Sequence, residues 1–258
     1  MTRNDTHSHA QPNADLTGEV VAGGGQGASR SYAEALNDRW TLHRQGSAAE
    51  QVTLPHDAML AEPRSARAAS GSHGGYFPGG RYRYTRQWTT PADLGQRHVT
   101  LVFEGVQGSC EVFIDDTSVG TNTNGYDEFA VELPTLEAAT THEIRVDVDN
   151  TTLPTSRWYT GSGIYRPVSV RVDDLVHLTR DGVRTTTTTT GTGAALAIDL
   201  IFANPAVADV TAEVTLSRHG ETVAQTTHRQ LAAACRRRSS STTPPSGPRT
   251  PPTCMSST

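Results

Sequence analysis

Apolar residues fall on every second position in one short stretch after another of this chain, and no other feature constrains the fold as much. "HVTLVFEG" sets Val99, Leu101 and Phe103 on one side, "CEVFIDD" does the same with Cys110, Val112 and Ile114, and "HEIRVDVDN" with Ile144, Val146 and Val148. "VSVRVDD" adds Val168, Val170 and Val172, and "RYRYTRQWTT" alternates Tyr82 and Tyr84 with charge. "LNDRWTL" and "QVTLPHD" read as shorter extended pieces, the first around Trp40 and Leu42, the second ended by Pro55. Period two is the spacing of a strand with one buried face, and Gly, Pro, Asn and Asp bound each run. No segment carries a long helical stripe. The pattern predicts an all-β chain built as a β-sandwich, with Val99, Leu101, Phe103, Val112, Ile114, Ile144, Val146 and Val148 facing one core.

Further along, Leu196, Ile198, Leu200 and Phe202 alternate after a run of threonines, and Val210, Ala212, Val214 and Leu216 alternate again. His219-Gly220 is a hairpin signal, and "TVAQTTHRQL" can return from it. These read as the first strands of a second, smaller sandwich that starts near Leu175. From Ala232 the pattern stops. "CRRRSSSTTPPSGPRTPPTCMSST" holds almost no apolar residue and cannot build a core. Before residue 34 the chain is polar and Gly-rich. Its "AGGGQG" lacks the helix that a phosphate-cradling loop needs after it, so it is expected to be flexible leader. The expected organisation is leader 1–33, first sandwich 34–174, partial second sandwich 175–231 and disordered tail 232–258.

Composition removes several function classes. At 258 residues and a formal charge of −5, the chain has no basic footprint for nucleic acid or anionic lipid. No run approaches the length of a membrane span. Cys110, Cys235 and Cys254 are scattered, with no CxxC pair or Cys/His cluster, so neither a metal nor another cofactor is expected. The polar N-terminus lacks a secretory signal pattern, and a cytoplasmic protein is expected.

The stretch "RWYTGSGIYRPV", residues 157–168, is the densest in chemically useful side chains. Gly161 and Gly163 open backbone paths closed to other residues. Pro167 withholds a ladder donor at the entry to the Val168 strand. Trp158 and Tyr159 offer flat apolar faces with polar tips, suited to the C–H face of a sugar or to a domain contact. Arg157 and Arg166 can bind hydroxyls or carboxylates. Tyr165 and Arg166 are expected to brace the sandwich, whereas Arg157 and Trp158 are the candidate substrate-binding residues.

Together with "LNDRWTL", "VTLPHDAML", "GGYFPGGRYRYTRQW" and "LVFEGVQGSCEVFIDDTSVGTNTNGYDEF", in that order, this stretch resembles the N-terminal sugar-binding domain of glycoside hydrolase family 2. The wording "PTSRWYTGSGIYR" resembles the β-galactosidase-like branch, and the likeness runs over roughly residues 36–231. It implies a jelly-roll sandwich followed by an incomplete immunoglobulin-like sandwich, and a β-galactoside as carbohydrate partner. There are departures. Asp115-Asp116 stands where the family has an Asn-Gly turn, and Ala58 follows Asp57 where the family has Trp. Thr155 and Ser156 precede Arg157 where some members carry an acidic residue that helps hold sugar and a monovalent cation, so no cation site is carried over.

Glycoside hydrolysis requires two carboxylates flanking the bond, about 5–9 Å apart. Among Asp57, Asp115, Asp116, Asp127 and Glu128, none forms a convincing pair. Asp127 and Glu128 are adjacent on an extended segment and point to opposite faces, while Asp115 and Asp116 read as turn residues. The family's catalytic carboxylates lie in a later (β/α)₈ barrel, and nothing in this sequence reads as one. His56 and His73 lack ligand spacing and read as loop or packing histidines. The expectation is therefore the non-catalytic N-terminal part of a β-galactosidase-like hydrolase, inactive alone. The alternatives are a stand-alone carbohydrate-binding module and the non-functional product of a frameshifted gene. The last has a specific argument. Residues 245–258, "PSGPRTPPTCMSST", can be back-translated so that the next frame reads "VWSTDAPNLYELD", which resembles the segment that ends the family's second domain.

Overall fold

The computed structural model describes residues 16–24, 31–152, 158–190, 193–204 and 208–230. Fifteen strands follow one another: β1 (Leu16–Gly24), β2 (Tyr32–Ala35), β3 (Trp40–Arg44), β4 (Glu50–Val52), β5 (Arg81–Thr89), β6 (His98–Phe103), β7 (Ser109–Ile114), β8 (Thr117–Asn122), β9 (Phe129–Glu132), β10 (Thr141–Asp149), β11 (Val168–Asp173), β12 (His177–Thr190), β13 (Gly193–Ala203), β14 (Val210–Arg218) and β15 (Glu221–Gln230). The chain is all-β, as the alternation predicts. A six-stranded sheet in the order β4-β3-β5-β10-β7-β8 faces a four-stranded sheet in the order β2-β11-β6-β9. Every pairing is antiparallel.

The core between the two sheets is built by the alternating residues. Leu101, Phe103, Val112, Ile144 and Val146 are 0 % exposed, and Val99, Ile114 and Val148 are buried with them. Trp40, Leu42 and Tyr84 complete this core, which also takes in Leu54, Phe77 and Ile164 from loops. The register pins the pattern. Ile144, Val146 and Val148 of β10 lie opposite Ile114, Val112 and Cys110 of β7, so a one-residue slip would turn every apolar side chain to solvent. Asp115 and Asp116 have φ of 47° and 65°, the left-handed pair of a two-residue hairpin turn between β7 and β8.

The second set of strands has a much smaller core, formed by Val176, Phe202, Val210 and Ala212. The threonine run lies within β12, where β-branched residues suit the pleat. β14 and β15 form the expected hairpin around His219-Gly220, both with positive φ. One expectation fails over Leu16–Gly24. Instead of flexible leader this segment is strand β1, paired with β14 from Leu16↔Arg218 to Gly24↔Val210. A backbone ladder on an open sheet edge needs no apolar stripe, so hydropathy gave no sign of it. The boundary drawn after residue 33 also falls inside β2. The expected disordered tail, 232–258, lies outside the described residues, as does Arg157.

Candidate functional site

The "TGSGIY" stretch is not a loose loop. It is stitched to the "LPHD" segment at one end of the first sandwich. The His56 amide donates to the Ile164 carbonyl at 2.8 Å, and the Ala58 amide to the Ser162 carbonyl at 2.8 Å. Between them Asp57 gathers three donors. Its Oδ1 accepts from the amides of Met59 at 3.0 Å and Ser162 at 3.1 Å, and its Oδ2 from the Tyr159 hydroxyl at 2.6 Å. On the other flank the amide and carbonyl of Gly163 exchange hydrogen bonds with Gln107, at 3.0 and 2.8 Å. Asn150, itself buried, donates from Nδ2 to the Gly161 carbonyl at 3.1 Å, while its amide donates to Gly80. Segments far apart in sequence thus meet in one polar network inside an apolar frame. Buried polar groups satisfied in this way make the loop's path specific.

The glycines are required by that packing. Gly163 has φ 102°, and a Cβ there would overlap the Tyr84 hydroxyl. At Gly161, φ 76°, a Cβ would sit 2.7 Å from Asp57 Oδ2. Tyr84 is held in turn by His56, whose Nδ1 lies 3.0 Å from its hydroxyl. Burial pushes the Tyr84 pKa upward, so it remains a phenol. Burial, followed by the charge of Arg44, lowers that of His56 and favours the neutral ring. Burial also raises the pKa of Tyr159, and the Asp57 carboxylate that accepts its hydrogen bond adds to this.

Aromatic groups collect around this network. Phe77 lies 5.0 Å from the ring of Tyr159, and the Arg64 guanidinium sits 5.0 Å from the centre of Phe77. Three large apolar side chains here reach solvent: Trp158 at 64 % exposure, Tyr76 at 44 % and Leu60 at 64 %. Tyr76 has φ 64°, a left-handed conformation rare for an aromatic residue. Trp158 was anticipated from sequence. Tyr76 and Leu60 were not, because lone apolar residues in loops carry no periodicity. Arg166 and Tyr165 behave as a brace. The Arg166 guanidinium lies over the Tyr165 ring at 5.1 Å and Nη1 donates to the Glu104 carbonyl at 3.3 Å.

The carboxylates considered for catalysis have structural partners. Asp115 accepts from His142 Nδ1 and from the Glu143 amide, and these two bonds, in that order, lower its pKa. Asp116 pairs with Arg145, Asp127 with Asn124, and Glu128 with Arg180. His73 sits exposed in a short 3₁₀ turn over Gly71–Gly74. Among the described residues no group of three or more His, Cys, Asp and Glu is placed to hold a metal ion. No helix among them is long and apolar enough to cross a membrane. A groove of about 770 Å³ also runs over the outer face of the six-stranded sheet. It is lined by His43, Glu111, Thr121 and the ion pairs Arg81–Asp149 and Arg83–Asp147.

Comparison with known proteins bears on this arrangement. Residues 76–197 match the family described as "Glycosyl hydrolase 2 galactose-binding domain-like". The beta-galactosidase BoGH2A of Bacteroides ovatus is 36 % identical over 138 residues, which cover 53 % of this chain and 16 % of the relative. A glycosyl hydrolase family 2 member from Bacteroides cellulosilyticus superposes with a TM-score of 0.63 at 21 % identity, over 78 % of this chain and 28 % of that one. A beta-glycosidase from Bacteroides vulgatus gives 0.59 at 20 % identity, over 78 % of this chain and 34 % of that one. The chain therefore spans only a minor part of the length of the proteins it matches.

Proposed function

We propose, from the premise that the chain belongs to glycoside hydrolase family 2 through its galactose-binding-like N-terminal domain, that the first sandwich is a non-catalytic module of a β-galactosidase-like hydrolase. It contacts carbohydrate at the loop end described above. The observation that carries this reading is the exposed Trp158 next in sequence to a loop held in place by Asp57, Asn150 and Gln107. An aromatic face on a fixed backbone suits the C–H face of a pyranose, because little side-chain and loop freedom is lost on binding. Arg157, which precedes Trp158 in sequence, remains the second candidate contact. The structural engagement of Asp57, Asp115, Asp116, Asp127 and Glu128 supports a binding role over hydrolysis by these residues.

Tryptophan fluorescence tests the proposal directly. Of the three tryptophans, Trp40 and Trp88 are buried, so quenching by acrylamide reports on Trp158. Methyl β-galactoside should protect it in a saturable way, and Trp158→Ala should abolish the effect. The purified chain should not hydrolyse an aryl β-galactoside. Unchanged quenching in saturating sugar defeats the binding role, and turnover that persists after removal of host enzyme defeats the non-catalytic one.

The out-of-frame reading of residues 232–258 belongs to the same proposal. Sequencing the locus tests it, since a downstream region with no frame encoding a barrel would end it. We place the protein in the cytoplasm, a setting that suits the buried free thiol of Cys110. Cell fractionation checks that placement.

A further inference from the structure

The two most exposed aromatic side chains among the described residues are Trp158 and Tyr126, at 64 % and 56 %. Tyr126 belongs to the connection between β8 and β9, far from Trp158 in sequence, yet the sheets bring both connections to one end of the first sandwich. In the six-stranded sheet, Asp149 at the end of β10 lies opposite Ser109 at the start of β7, and Asn122 at the end of β8 lies opposite Cys110. In the four-stranded sheet, Phe103 at the end of β6 lies opposite both Phe129, where β9 starts, and Val168, where β11 starts. The β6–β7, β8–β9 and β10–β11 connections therefore leave the sandwich at the same end.

Gln107, in the first of these connections, stands between the other two. Its main chain exchanges two hydrogen bonds with Gly163, at 2.8 and 3.0 Å. Its buried side chain packs so close to the Gly125 backbone that a Cβ added there would sit 2.6 Å from Gln107 Oε1. The residue after this buried glycine is Tyr126. The Tyr126 amide donates to Asn124 Oδ1 at 3.1 Å, and Asn124 Nδ2 donates to Asp127. The Asn122 side chain in turn bonds both the amide and the carbonyl of Asn124. Bonds of this kind from Asn to the nearby main chain fix a turn. Tyr126 is thus held at the backbone while its ring stays outside the core. Such a ring offers the flat apolar face that a pyranose takes, with little ordering left to do on binding.

We propose that Tyr126 is a further carbohydrate contact, so that the loop end takes a saccharide chain, one ring on Trp158 and the next on Tyr126. This rests on the reading of the Trp158 loop as a sugar-binding site. Neighbouring chain segments run about 5 Å apart. The Gln107 segment fills that width between the two loops, so the aromatic groups suit successive rings of one chain rather than both faces of a single ring. The test compares methyl β-galactoside with β-1,3-, β-1,4- and β-1,6-linked galactobiose on the full chain, with acrylamide quenching of Trp158 as the readout. At least one disaccharide should bind about fivefold or more tightly than the monosaccharide, within the range of an aromatic stacking contact. Tyr126→Ala should remove that advantage and leave both the affinity for methyl β-galactoside and the Tm unchanged, because the side chain is exposed. Protection of Trp158 by none of the ligands overturns the sugar-binding reading and this inference together. Equal affinity for mono- and disaccharides, an advantage that survives Tyr126→Ala, or an equal loss for both kinds of ligand overturns the inference alone.

Discussion

At the scale of single residues, two kinds of glycine with positive φ can be told apart. Gly46 has φ 78° and nothing within 4 Å of an added Cβ, whereas at Gly163 the added atom would overlap the Tyr84 hydroxyl. Gly46→Ala should cost about 1–2 kcal/mol, the backbone penalty alone. Gly163→Ala should cost roughly 1–3 kcal/mol more for the forced repacking. Urea melts of the two variants measure the difference, and equal midpoints would mean that the loop yields freely. Charge at single residues sets the acid limit. Asp149 is held at a pKa of about 2, first by the Thr151 hydroxyl, then by the Thr151 amide and Arg81. A carboxylate depressed in this way stabilises the fold fully above the ordinary aspartate value of about 4, and that contribution is lost as pH falls toward 2. Asp149→Asn should therefore flatten the stability–pH curve in that window, and a curve as steep as the parent's would contradict the assignment.

At the scale of elements, the β7–β8 turn offers a change in the stabilising direction. Both Asp115 and Asp116 adopt left-handed φ, which an aspartate tolerates and a glycine prefers. Asp115 also ties the turn to His142 and Glu143, whereas Asp116, among the described residues, holds only Arg145, so the second position is the one to change. Asp116→Gly should gain about 0.5–1 kcal/mol in the turn, less what is lost in the pair between the exposed Asp116 carboxylate and the largely buried Arg145, which keeps Asp147 as a neighbour, and a thermal melt reads the balance as a higher Tm. β5, β6, β7, β10 and β11 were legible in sequence because alternate residues of each enter the core, whereas β2 and β8, which bury no side chain, and the short β9 carried no such signal. The loop-end site was legible only in part. Trp158 lies in a dense motif, whereas Tyr76 and the donors to Asp57 converge through packing, which no spacing records. β1 was missed because its partner, β14, is remote and the link between them is backbone to backbone.

At the scale of the whole molecule, the two cores are unequal. The first gathers side chains from both sheets and their loops, and the second rests on Val176, Phe202, Val210 and Ala212. The described side chains of β15 are exposed, so this strand adds hydrogen bonds without burying apolar surface. Amide exchange should be slowest in β5, β6, β7 and β10, and clearly faster throughout β12–β15. Uniform protection across all of them would contradict this. The pairing of β1 with β14 also bears on synthesis. Val20 lies opposite Val214, so 194 residues (214 − 20) separate the partners in the chain. At translation speeds of about 5–20 residues per second, β1 waits on the order of 10–40 seconds for its neighbour. During that interval the first sandwich can complete itself while "LTGEVVAGG" remains an unmatched ribbon, open to chaperones, proteases and other nascent chains. Its four small residues, Gly18, Ala22, Gly23 and Gly24, make it a weak template for mispairing. The segment thus suits a strand that is made long before its partner.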